Sequence, residues 1–138
     1  MLILDANMIL RFLLNDNEEM TNIVVSVLEN NDTILLPEVL AEVVYVMNKT
    51  YKRTREYTVN IITAFMDIPA VKTEKKKIVT KGLQYFAETS LDFVDCLLCA
   101  YHTESGYEIG TFDNKLLKLI QRESEPKEET NSEDSQTE

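Results

Sequence analysis

The sequence predicts an α/β fold, a small and mostly parallel sheet flanked by helices that outnumber its strands. Three observations predict it. The short apolar runs Leu2–Leu4 and Thr33–Leu36 lack the two-residue alternation of a half-wetted sheet, as strands covered on both faces do. Stretches with apolar residues at helical spacing separate these runs along the whole chain, the order of an α/β sandwich. Three Gly and three Pro in 138 residues are few, which disfavours a turn-rich β architecture and favours long helices with short connections. The length fits one domain with a single substantial core.

Leu2, Ile3 and Leu4 read as a buried strand, ended by Asp5. A helix follows, with Ile9, Leu10, Leu13 and Leu14 on one face. Asn15–Asn17 is turn chemistry. Glu18 to Glu29 is a second helix, with Ile23, Val24, Val27 and Leu28 facing inward. Asn30–Asp32 turns again before the strand Thr33–Leu36. Pro37, pre-set for a first helical turn, opens a helix running to Lys49 through Val39, Leu40, Val43, Val44 and Met47. Residues 51–54 are a basic, polar break, and Arg55 to Met66 is helical. Residues 68–71 lead into a short extended segment. Lys75 to Thr89 and Asp92 to Glu104 are helices, the latter stopped by Gly106. Tyr107 to Phe112 reads as a further strand, and Lys115 to Arg122 as a closing helix.

Residues 123–138 form a tail rich in Glu, Ser, Thr and Asn with no apolar residue, expected to be disordered. The chain therefore divides into a globular part, 1–122, and the tail. The formal charge of −10 divides unevenly too. The tail holds seven acids against one base, Lys127, so −6 lies there and −4 is left for residues 1–122. An acidic total of this kind does not exclude a polyanionic ligand. The tail is expected to repel one, most strongly at low ionic strength. No stretch has the ~18 apolar residues of a membrane span, and Asp5 interrupts any leader-like run, so a cytoplasmic location is expected. Cys96 and Cys99 lie three apart in a helical stretch without a second pair, and read as small buried hydrophobes.

Four carboxylates stand out by their setting. Asp5 closes the first strand, Glu42 lies within the helix after the second, Asp95 sits early in an apolar helix, and Asp113 closes the last strand. In a parallel sheet these positions can converge on the carboxyl edge, where open α/β sheets build their sites. Each stands among residues expected to be buried, and a buried carboxylate needs a cation, dense donors or a raised pKa. Each also has a plainer reading: Asp5 and Asp113 as helix caps, Glu42 as a surface residue, Asp95 as an acid near a helix N-terminus. Capping and site roles are compatible. Hard oxygen ligands suit Mg²⁺ or Mn²⁺.

These residues carry a resemblance. Asp5-Ala-Asn7 with Ile9 and Arg11, Pro37 followed by Leu40-Ala-Glu42-Val-Val-Tyr45, Leu91-Asp-Phe-Val-Asp95 and Thr111-Phe-Asp113 occur in the order and spacing of the PIN-domain family. More narrowly, the chain resembles the toxin ribonucleases of bacterial and archaeal toxin–antitoxin pairs, over residues 1 to about 120. The resemblance implies a metal-dependent endoribonuclease, usually a homodimer and inhibited by a cognate antitoxin. It implies Asp5, Glu42, Asp95 and Asp113 as metal-binding acids, Asp92 as an additional acid, and Asn7 and Thr111 as polar neighbours. Glu42 alternatively orients water as a base. Arg11, Lys49, Lys52, Arg53 and Arg55 are candidates for gripping phosphates or a partner protein, with Tyr45 and Tyr51 available to stack on bases. The lysines at 72, 75–77 and 81 read as a solvated helix face. The alternative from another class is a PIN-like fold kept as a protein- or RNA-binding module without catalysis. A haloacid dehalogenase phosphatase would want Asp where Asn7 stands, and a receiver domain would want paired acids before its first helix.

Overall fold

The computed structural model describes residues 1–125. Its elements are β1 (Leu2–Ile3), α1 (Ala6–Leu14), α2 (Glu18–Asn30), β2 (Thr33–Leu35), α3 (Pro37–Tyr45), a π-helical turn (Val46–Thr50), α4 (Arg55–Met66), β3 (Val71–Thr73), α5 (Lys76–Glu88), α6 (Phe93–Ser105) and α7 (Asn114–Ser124). The sheet is parallel throughout in the order β1-β2-β3, with Leu2 opposite Thr33, and Thr33 opposite Val71. The expected α/β architecture with helices in the majority is what forms.

Local chemistry sets most element ends. Asn17 and Thr54 cap α2 and α4 by accepting the backbone N–H groups of Met20 and Tyr57, each at 3.0 Å. Those bonds satisfy donors that a helix start leaves free. Asn15 closes α1 in the left-handed region, φ +49°, and Gly106 closes α6 at φ +76°. Gly106 donates its N–H to the His102 carbonyl at 2.9 Å. One apolar core runs through every layer. Ile9, Leu40, Val43, Met47, Ile62, Val79 and Leu116 are almost wholly enclosed, and Phe12 packs on Phe65, Phe86 on Phe93. Gly82 lets α5 and α6 close up: a Cβ there would lie 2.9 Å from Leu97 Cδ2.

Two expectations about strands fail together. Tyr107–Phe112 forms no strand, so β1 is paired on one side only among the described residues. Leu2 and Ile3 are consequently 40% and 55% exposed, not buried; only Leu4 reaches the core. The 107–113 segment satisfies its polar groups locally. Its Tyr107 carbonyl lies 2.6 Å from His102 Nδ1, the Tyr107 ring packs on Tyr101, and Thr111 Oγ1 accepts the Asp113 N–H at 3.0 Å. Phe112 projects fully into solvent.

The boundary drawn at 122 also moves. Helix α7 continues through Glu123 and Ser124, and Ser124 Oγ lies 2.8 Å from His102 Nε2. Half-buried Glu123 accepts from the Tyr85 hydroxyl at 3.4 Å. Both residues belong to the folded body. The disorder expected of the remaining tail falls on residues 126–138, outside those described.

Candidate active site

Asp5 leaves β1 and caps α1, its Oδ1 accepting the Met8 N–H at 2.9 Å. Asp113 caps α7 and accepts from the N–H groups of Lys115 and Leu116 at 2.8 and 3.2 Å. The capping reading thus holds for both, although Asp113 follows a loop and not a strand. Asp92 begins α6 without a side-chain cap bond, and Asp95 stands in its first turn. Glu42 lies inside α3. The four key acids stand among residues expected to be buried, with a surface position as the plainer reading of Glu42. Of the acids themselves only Asp95 is partly buried; Asp5, Glu42, Asp113 and Asp92 are exposed, and the surface reading of Glu42 holds.

Asp95 is where the acids act on one another. Burial pushes its carboxyl above the usual carboxylate range, and the negative charges of Asp113 and Asp92 push it further. The chain therefore brings Asp92, Asp95 and Asp113 into one electrostatic neighbourhood. Asp5 and Glu42 are not among the causes of that shift. Among the described residues the ion pairs are Arg11–Asp16 and Arg122–Glu123, so none of the five acids is paired with a cation. Nor, among those residues, does any group of three His, Cys, Asp or Glu side chains stand close enough to hold a metal ion. The donor chemistry suits a hard divalent cation, while the carboxylates are not drawn together around a common point.

Asp92 and Asp95 line a cleft of about 210 Å³ between α3 with its π-helical turn and the start of α6. Tyr45, Asn48, Lys49 and Val94 are further walls. Sequence reasoning missed Asn48, and no local signal in the sequence marks it.

The expected basic residues divide by availability. Lys49, Lys52 and Arg53 are exposed at the α3–α4 connection. Arg11 is engaged within the fold: its Nη1 meets both carboxylate oxygens of Asp16 at 2.9 and 3.0 Å, and Nη2 donates to the Tyr51 hydroxyl at 3.2 Å. Arg55 is engaged more deeply. Its Nε donates to the Phe86 carbonyl at 2.7 Å, a second nitrogen donates to the Leu91 carbonyl, and the guanidinium lies 3.6 Å over the Phe86 ring. Burial lowers its pKa, opposed by Cys96 and Asp92. Two of its donors thus face backbone carbonyls, where the expectation was a guanidinium gripping phosphate or a partner. These bonds tie α4 to α5 and to the connection directly before Asp92. Asn7 is exposed in the first turn of α1, and Thr111 is bonded to the Asp113 backbone. Cys96 and Cys99 are free, fully buried thiols, as expected of packing residues.

The PIN domain model matches residues 2–121, most of the chain and nearly all of its folded part. The chain belongs to the PIN domain family. It is also 24% identical to a VapC ribonuclease of Aquifex aeolicus (strain VF5) over 135 residues, covering 94% of this chain and all of that protein. No solved structure matches it significantly. No described helix is long and apolar enough to cross a membrane.

Proposed function

We propose that this PIN domain is a Mg²⁺- or Mn²⁺-dependent endoribonuclease, the toxin of a toxin–antitoxin pair. The observation that carries the reading is the group Asp92, Asp95 and Asp113, in which burial, then Asp113 and Asp92, raise the pKa of Asp95 and no acid has an ion-pair partner among the described residues. Family membership and the VapC ribonuclease relative support it. We assign Asp5, Glu42, Asp95 and Asp113 as the acids that would hold the metal, with Asp92 as an additional acid; before an ion binds, no three of them stand close enough to share it. The positive charge of an ion would offset the mutual repulsion of these carboxylates. When bound, a divalent ion supplies a more acidic water and charge stabilisation at the scissile phosphate.

The chain's own residues do the rest. Water adds at phosphorus as the bond from phosphorus to the leaving oxygen breaks; the water's proton passes to a carboxylate, for which Glu42 is the candidate, and that carboxylic acid returns a proton to the leaving oxygen. Lys49, Lys52 and Arg53 hold flanking phosphates. Arg55 keeps the start of α6 in place. An antitoxin, a second copy of the chain and a cytoplasmic setting belong to the same reading.

The test is RNA cleavage with Mg²⁺ or Mn²⁺ by the wild type, Asp5→Asn and Asp95→Asn. The wild type should cut and both variants should fail while keeping their fold. Near-normal cleavage by either variant would show that the site is wrongly assigned. Wild-type binding of RNA or a partner without cleavage would favour a non-catalytic module.

A further inference from the structure

The cleft beside Asp92 and Asp95 has features that metal binding does not explain. Tyr45 is 63% exposed on its rim and Val94, across it, is 55% exposed. Buried Phe86 and Phe93, packed edge to face, form part of its lining. The wall carrying Asn48 and Lys49 is the π-helical turn Val46–Thr50, closed by the Tyr51 N–H on the Val46 carbonyl at 3.0 Å. Such turns are uncommon and frequent at functional sites. The Asn48 amide nitrogen donates one of its two N–H groups to the Arg53 carbonyl at 2.9 Å, which ties the side chain to the turn and leaves a second N–H and Oδ1 for other partners.

A volume of about 210 Å³ is below the ~300–1,000 Å³ of sites for drug-sized ligands. It suits one flat ring system with a polar edge. Lys49 brings a positive charge to one side and the acids lie on another, so a ligand here combines a ring with a phosphate. Resting on the ribonuclease reading, we infer that this cleft binds one unpaired nucleobase of the RNA, stacked on Tyr45, beside the phosphate to be cut. A base inside a duplex cannot reach Tyr45 without leaving its stack, so the substrate is single-stranded or looped RNA. Stacking on an aromatic ring tolerates any base, and the Asn48 amide, with a donor and an acceptor still unused, can bond to the edge of the stacked base.

The experiment measures binding of a short single-stranded RNA, its duplex, and a series with one abasic position, in Mg²⁺ and in an Asp5→Asn background that leaves the RNA intact. Replacing Tyr45 by Ala should weaken single-strand binding about tenfold, whereas Tyr45→Phe should keep it. One abasic position should produce the same loss in the parent and no further loss in Tyr45→Ala. Because Tyr45 is exposed, circular dichroism of the variants should match the parent. Equal binding by parent and Tyr45→Ala, or duplex binding as tight as single-strand binding, would overturn the base site and leave the ribonuclease reading standing. Absence of any RNA binding by the parent, with no cleavage by the wild type, would overturn both.

Discussion

Replacing Arg55 with alanine should destabilise the protein by about 2–4 kcal/mol and impair the site without removing any group that touches RNA. The perturbation deletes two hydrogen bonds from a charged donor, to the carbonyls of Phe86 and Leu91, and a guanidinium stacked 3.6 Å over Phe86. Charge-assisted bonds contribute about 1.5–3 kcal/mol each, and a partly desolvated cation over a ring up to ~2 kcal/mol. Deleting a half-buried charge also removes the desolvation cost of its burial, which returns some of that. The two carbonyls then lack these donors. For a chain of this size the loss corresponds to a fall in Tm of roughly 8–15 °C. Arg55→Lys, with a single ammonium that cannot span both carbonyls, should lose about half as much. Denaturant unfolding gives the free energy, and RNA binding at several salt concentrations gives the second readout. A stability change below about 0.5 kcal/mol, with RNA affinity lowered and its salt slope reduced by about one, would refute the reasoning. Arg55 would then be a phosphate contact.

At Asp5 the cap and the site can be separated: Asp5→Asn should keep the cap on Met8 and the stability, whereas Asp5→Ala should cost about 1 kcal/mol in denaturant unfolding. Asp95, held above its ordinary range by burial and by Asp113 and Asp92, is easier to protonate in the fold than in the unfolded chain. Its contribution is fully present in acid and is lost as pH rises through its raised folded-state pKa. Asp95→Asn should therefore be more stable than the wild type at pH 7, with the gap closing in acid; calorimetry across that range checks the sign. Burial pushes the thiols of Cys96 and Cys99 up to about 11, so maleimide labelling at pH 8 should be slow and should follow unfolding. A chain ending at Arg122 should unfold about 1 kcal/mol more easily than one ending at Glu125, because it lacks the bonds of Glu123 to Tyr85 and of Ser124 to His102.

The helices were legible because their signals are local. Asn17, Pro37, Thr54 and Gly106 mark ends by chemistry within a few residues, and α4 runs from Arg55 to Met66 as its apolar spacing indicates. Residues 107–112 were misread because a strand depends on a neighbour far away in the chain. Here His102, Tyr101 and Thr111 satisfy the segment instead. The bonds of Arg55 were not legible for a similar reason: beside Lys52 and Arg53 the residue resembles part of a basic patch, and only the approach of Phe86 and Leu91, more than thirty positions on, reveals its partners. The acids were legible as residue types in order. Their exposure was legible only for Glu42, by its surface reading: an apolar helix has a wet side, and Glu42 sits on it.

The one-sided pairing of β1 has a consequence for how copies of this chain behave in concentrated solution. An unpaired strand edge is a template on which another chain can add, and natural sheets blunt such edges with charge, proline, bulges or brevity. This edge has no charge in its two residues and presents Leu2 and Ile3 to solvent. Brevity is its protection: two residues offer too few backbone groups to register a foreign strand, and Asp5 directly follows Leu4 to break any longer apolar template. Substituting Asp5 with an apolar, β-favouring residue would therefore lengthen the sticky run, and colloidal behaviour would suffer as well as chemistry.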